Sequence, residues 1–167
     1  TIDDGWLSAY EIAFPILKKH GYPATLFIYT DIISRNPNTV SWSQLLEMSN
    51  QGIEVGSHGM SHRTLTLPGN KETFKEYFNN LEKKLSGSKD IIKKRLNREV
   101  KYLAYPYGDT TPLVVEMAKK LGYRGALGVK KGGNPFFVHN YRVNRTVIYG
   151  DYTLTGFEKS LRVFQEQ

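Results

Sequence analysis

The sequence predicts an α/β domain built on a mainly parallel sheet, and three observations carry that expectation. Short apolar, β-branched and aromatic runs alternate along the chain with segments of helical periodicity. Glycine and proline punctuate the alternation at the helix ends. Polar clusters follow three of the apolar runs, and the carboxyl ends of parallel strands are where such sheets and barrels build their sites. With 167 residues, no internal repeat and no low-complexity stretch, the chain suits one domain, residues 1–167, and is cramped for two.

Taken in order, Ile2 closes an extended segment and "DDG" (3–5) forms the turn after it, so that the first strand is truncated in this chain. What precedes Thr1 is expected to hold the rest of that strand, and an export signal if there is one. Residues 8–20 read as a helix interrupted at Pro15 and closed by Gly21. "ATLFIY" (24–29) is a buried strand. Ser41 is an N-cap for a helix through about Asn50, followed by Gly52 and the strand "IEVGS" (53–57). A long helical region runs from Lys71 to about Asn97, with a break expected near Gly87. "KYLAY" (101–105) is the next strand, and Thr111 or Pro112 opens a helix that runs through Leu121 and stops at Gly122. "RGALGV" (124–129) and "YRVNRTVIY" (141–149) read as strands, and 153–165 as a last helix.

Composition narrows the function classes. Hydrophobic content of 40% excludes disorder, and no apolar run approaches the roughly 18 residues of a membrane span. Without cysteine there is no thiolate site, so any metal must be held by His, Asp or Glu. The net charge of +7 allows an anionic wall, membrane surface or nucleic acid as neighbour. Much of the excess lies in "KKLSGSKDIIKKRLNR" (83–98), whose lysines recur among Leu and Ile as on the solvated face of an amphipathic helix. No nucleic-acid motif accompanies them.

The polar clusters carry the chemistry. Asp3 and Asp4 alternate to opposite faces if the strand continues, and reach one pocket only if it ends between them, which Gly5 permits. A solvated Asp-Asp-Gly turn is the alternative. "SHGMSH" sets His58 and His62 four apart, which on one helical turn brings two imidazoles over each other. Two imidazoles and a carboxylate make a three-ligand catalytic metal set, and a further carboxylate can act as base; two exposed histidines are the bland alternative. "PYGD" (106–109) follows the third run.

"TIDDG", "SHGMSH" and "AYPYG", in that order and spacing, resemble the first three motifs of the polysaccharide deacetylase family, the NodB-homology or carbohydrate esterase family 4 domain. "PILKKHGYPATLFIY" and the stretch leading into "SHGMSH" agree with it as well, so the match covers most of 1–128. The "AYPYG" form resembles the branch that includes poly-N-acetylglucosamine deacetylases. The resemblance implies a distorted (β/α) barrel and a bacterial, extracellular or cell-surface, monomeric hydrolase. Its substrate would be an N-acetylated glycan such as poly-N-acetylglucosamine, peptidoglycan or chitooligosaccharide. It further implies a divalent metal, zinc foremost, on Asp4, His58 and His62, with Asp3 as catalytic base and the backbone N–H of Tyr107 holding the oxyanion.

The chain departs from the family pattern after Gly128, where the usual Asp-Trp and Leu-x-His motifs are missing. The second of these supplies the acid that protonates the leaving amine, so a carbohydrate-binding pseudoenzyme of the same fold stands as the alternative. His139 is the one downstream histidine, and a surface histidine without catalytic duty is its plainer reading. Arg145 either holds Asp3 or pairs at the surface. Asn144-Arg145-Thr146 also fits a glycosylation sequon, discounted because the other signals are bacterial.

Overall fold

In the computed structural model, which describes residues 1–135 and 137–162, five parallel strands form one sheet whose spatial order follows the chain. They are β1 (Ile2–Asp4), β2 (Thr25–Ile28), β3 (Glu54–Ser57), β4 (Tyr102–Ala104) and β5 (Gly125–Leu127). An order without reversal is that of a barrel wall rather than of a doubly wound sheet. The sheet is a curled half-barrel with helices α1 (Phe14–His20), α2 (Trp42–Asn50), α3 (Phe74–Leu96), α4 (Pro112–Lys120) and α5 (Leu154–Leu161).

Register assigns the two faces. Leu26 pairs with Val55, Ile28 with Ser57, Ser57 with Leu103 and Leu103 with Ala126. The apolar members of that row join the core beneath the helices with Leu45, Met48, Leu81, Leu85, Ile92 and Val114. Phe27, opposite Gly56, belongs to the other, concave face. A Cβ on Gly56 would come within 2.5 Å of the Phe27 ring, so glycine lets the ring lie flat across β3.

Local chemistry starts and stops the helices as the sequence implies. Ser41 and Gln44 form a reciprocal capping box on α2, Thr73 and Glu76 one on α3, and Thr111 and Thr153 cap α4 and α5. Gly21 (φ 65°) and Asn97 (φ 52°) end α1 and α3 in the left-handed conformation. Pro15 has no N–H for the carbonyl four residues back, and the preceding Ala9–Ala13 widen into a π-type turn instead of breaking the helix.

Two expectations are corrected. α3 runs unbroken for 23 residues through Gly87. There the missing side chain admits Met60, whose Sδ would lie 2.9 Å from a Cβ, and the neighbouring Ser88 hydroxyl bonds Ser57 on β3 at 2.8 Å. Gly87 is a docking point, and burial of Leu81, Leu85 and Ile92 outweighs its poor helix propensity. Residues 141–149 do not form a strand: only Val143 bridges to Leu127. Asn144 is diverted by its backbone N–H to Asn134 Oδ1 and its amide to Gly133 O, so the sequon residue pins a loop. Residues 163–165 of the expected last helix lie outside the described residues. Among the described residues, no helix is long and apolar enough to cross a membrane.

Candidate metal centre and its carboxylate neighbour

β1 extends two residues further than Ile2, to Asp4, and the conformational break comes at Asp4 itself. Asp4 takes φ 77° and Gly5 φ 90°, so alternation fails at the second carboxylate. Asp3 keeps the concave direction, in register with Phe27, while Asp4 turns to the rim beyond β3. One dipeptide therefore supplies two carboxylates to adjacent positions with different partners.

The histidines meet without a helical turn, which corrects the geometry expected from their spacing. Gly59 at φ 82° interrupts any helix, and the N–H groups of Thr30 and Asp31, past the end of β2, bond the carbonyls of Gly59 and Met60. Ser57 Oγ accepts from Gly59 N–H at 3.1 Å, and His58 N–H donates to Ile28 O at 2.8 Å. The loop so held brings the two imidazole centroids to 5.0 Å.

His58 is 2% exposed, and burial pushes its pKa below the ordinary histidine value, which keeps the ring neutral. Its Nδ1 lies 2.8 Å from Ala104 O. A carbonyl only accepts, so Nδ1 carries the proton and Nε2 presents a lone pair. That Nε2 lies 3.6 Å from Asp4 Oδ1, and His62 Nε2 lies 3.5 Å from the same oxygen. Asp4 Oδ1 is buried and has no hydrogen-bond partner. An orphaned carboxylate oxygen facing two imidazole nitrogens, with donor atoms of all three residues within 4.8 Å, fits a divalent cation.

Asp3 is met by Arg145. Nη1 donates to Oδ1 at 2.6 Å and Nη2 to Oδ2 at 2.7 Å, while Nε donates to Gly128 O at 2.9 Å. The guanidinium lies over the Phe27 ring, 5.5 Å from its centroid. Of the two readings of Arg145, the structure takes the one with Asp3. Each carboxylate oxygen keeps a second lone pair, so the fork fixes Asp3 without exhausting it as an acceptor.

Tyr107 reaches the same rim in a left-handed conformation, φ 61° and ψ 2°, between Pro106 and Gly108. Its ring packs edge-on to His62 at 4.5 Å, and its hydroxyl donates to His62 O at 3.2 Å. His139 does not join the site. It is exposed, its Nδ1 accepts from Tyr141 N–H, and the adjacent Asn140 O accepts from Ala126 N–H in β5. Sequence reasoning missed Tyr29, whose ring lies 5.5 Å from His62 and whose pKa burial raises, and Trp6, whose indole reaches Asp4. Tyr29 closes a predicted strand, and that position was the available signal.

The sequence profile of the family described as Polysaccharide deacetylase matches residues 1–126. The chain belongs to the polysaccharide deacetylase family. A similar curated relative is the poly-beta-1,6-N-acetyl-D-glucosamine N-deacetylase of Staphylococcus epidermidis, 30% identical over 157 residues, 90% of this chain and 54% of the relative. Among solved structures, IcaB from Ammonifex degensii is 28% identical, with a TM-score of 0.78 over 89% of this chain and 66% of that one. The Streptococcus pyogenes deacetylase PplD, solved with acetate, is 22% identical and shares the fold, with a TM-score of 0.84 over 95% of this chain and 67% of that one. The chain spans about half the length of the curated polysaccharide deacetylases it matches.

Proposed function

We propose that this chain is a metal-dependent polysaccharide N-deacetylase that removes acetyl groups from N-acetylglucosamine units of a bacterial extracellular or cell-surface glycan, acting as a monomer. The observation that carries the reading is the orphaned Asp4 oxygen facing His58 and His62 beside a second carboxylate held by Arg145. The substrate named for the staphylococcal relative favours poly-N-acetylglucosamine over peptidoglycan or chitooligosaccharide. One oxygen and two imidazole donors, with no cysteine in the chain, favour zinc.

Asp4, His58 and His62 would hold the ion, which when bound supplies Lewis acidity toward water and the amide carbonyl. Asp3 lies outside that donor set and would accept the attacking water's proton, while Arg145 sets its angle. Tyr107 N–H is the donor to the developing oxyanion, and Pro106, with its fixed φ, aims it. Because Asp3, Asp4, both histidines and Arg145 are all present, an active enzyme is favoured over a pseudoenzyme.

The test is acetate release from poly-N-acetylglucosamine and from chitooligosaccharides, before and after chelation and after adding back Zn2+. Release abolished by chelation and restored by Zn2+ is expected. Release indifferent to chelation, or none with any of these glycans, overturns the reading.

A further inference from the structure

We infer that Trp6 is a positioning residue that fixes which oxygen of Asp4 faces the two histidines; this rests on the reading of Asp4, His58 and His62 as a cation site. The two oxygens of Asp4 have different surroundings. Oδ1 faces both Nε2 atoms and has no hydrogen-bond partner, whereas Oδ2 accepts the Trp6 indole N–H at 3.2 Å. A carboxylate that turned about its Cβ–Cγ bond would exchange these oxygens or present both. The indole removes that freedom. Its nitrogen only donates, so it engages an oxygen without competing for a cation. Such outer partners orient a ligand and tune its affinity.

The backbone beneath the indole is itself fixed. Trp6 bridges Thr39 in antiparallel fashion, Leu7 N–H donates to Asn38 O at 2.8 Å, and Val40 N–H donates to Gly5 O at 3.0 Å. Thr39 in turn donates its hydroxyl to the Ile32 and Asn36 carbonyls. The strap that carries the indole is therefore anchored to the loop after β2, independently of Asp4. Burial does not account for a tryptophan here, because the side chain remains 45% exposed. Its polar end has a partner that needs orienting, and its apolar body contributes little to the core.

Trp6→Phe deletes the N–H and keeps an aromatic ring. Zn2+ affinity, read by competition with a chromophoric chelator, should fall about ten-fold or more. The melting temperature of the chelator-treated protein should stay that of the parent. A second measurement leaves Trp6 in place: the chain has two tryptophans, Trp6 and Trp42, so in Trp42→Phe the remaining indole reports the site directly. Its emission and its indole N–H resonance should shift as Zn2+ is added and saturate with binding. A Trp6→Phe affinity within two-fold of the parent's, a fall matched by an equal loss of metal-free stability, or a Trp6 signal silent to bound Zn2+ each overturns the inference while leaving the cation site standing. A parent that binds no Zn2+ overturns both.

Discussion

Arg145 meets Asp3 as a two-pronged fork, with both Nη atoms on both carboxylate oxygens at 2.6 and 2.7 Å and the third donor, Nε, on Gly128 O. Lysine cannot reproduce this planar geometry, since an ammonium offers a point charge. Arg145→Lys should therefore lose a large part of the activity, and Arg145→Ala about 10²-fold or more in kcat/KM, the usual scale for misplacing a catalytic group. Comparing the two variants separates fork from charge. Equal activity in Arg145→Lys and the parent would show that geometry is not what Arg145 contributes.

Asp3 and His58 should separate turnover from metal binding. Asp3→Asn removes the proposed base and leaves Asp4, His58 and His62 intact, so bound metal by elemental analysis should match the parent while deacetylation falls about 10²–10⁴-fold. His58→Ala should lose metal and activity together, because it deletes a donor whose tautomer Ala104 O fixes. Loss of metal in Asp3→Asn would reverse the assigned roles.

The described site holds no third imidazole, and His139 stands apart from it. An amine leaves poorly unless protonated, whereas a phenolate leaves unaided. A phenyl acetate ester should be cleaved much faster than an acetamide, with the same metal requirement. His139→Ala should change neither rate. An amide-selective loss of about 10²-fold in that variant would identify His139 as the acid after all.

Gly56→Ala tests the packing beneath the site. The added Cβ meets the buried Phe27 ring within 2.5 Å and Tyr102 O at 3.1 Å, and neither the ring nor the backbone can retreat easily. Overpacking of this kind costs about 1–3 kcal/mol, so the melting temperature should drop by about 2–12 °C. An unchanged melting temperature would mean that the concave face is looser than its geometry implies.

The five strands and the order of the helices were legible because apolar runs, caps and glycine stops agree at each step, as at Ser41, which caps α2, and at Gly21, which ends α1. The candidate residues at the strand ends were legible from motif order, and Arg145 as one of two readings. What escaped the sequence depended on contacts distant in the chain. Gly87 looks like a helix breaker until Met60 is seen to pack there. The i,i+4 spacing of His58 and His62 suggests a helical turn until Gly59's φ is known. The β-branched and aromatic run at 141–149 reads as a strand, but the Asn144–Asn134 bonds take the backbone elsewhere.

The Asp3–Arg145 contact joins residues 142 positions apart. Bringing such distant segments together carries the entropic cost of closing almost the whole chain, and that cost falls only once the intervening strands and helices have condensed. By that cost, the contact that orients Asp3, the proposed base, is expected to form late on folding and to be lost early on local opening. A population with its sheet intact and its 143–148 segment detached would keep its far-ultraviolet signature and its metal ligands, yet lack an aligned base. Activity should therefore decline with temperature or denaturant ahead of global unfolding, so that turnover reports on the attachment of residues 143–148.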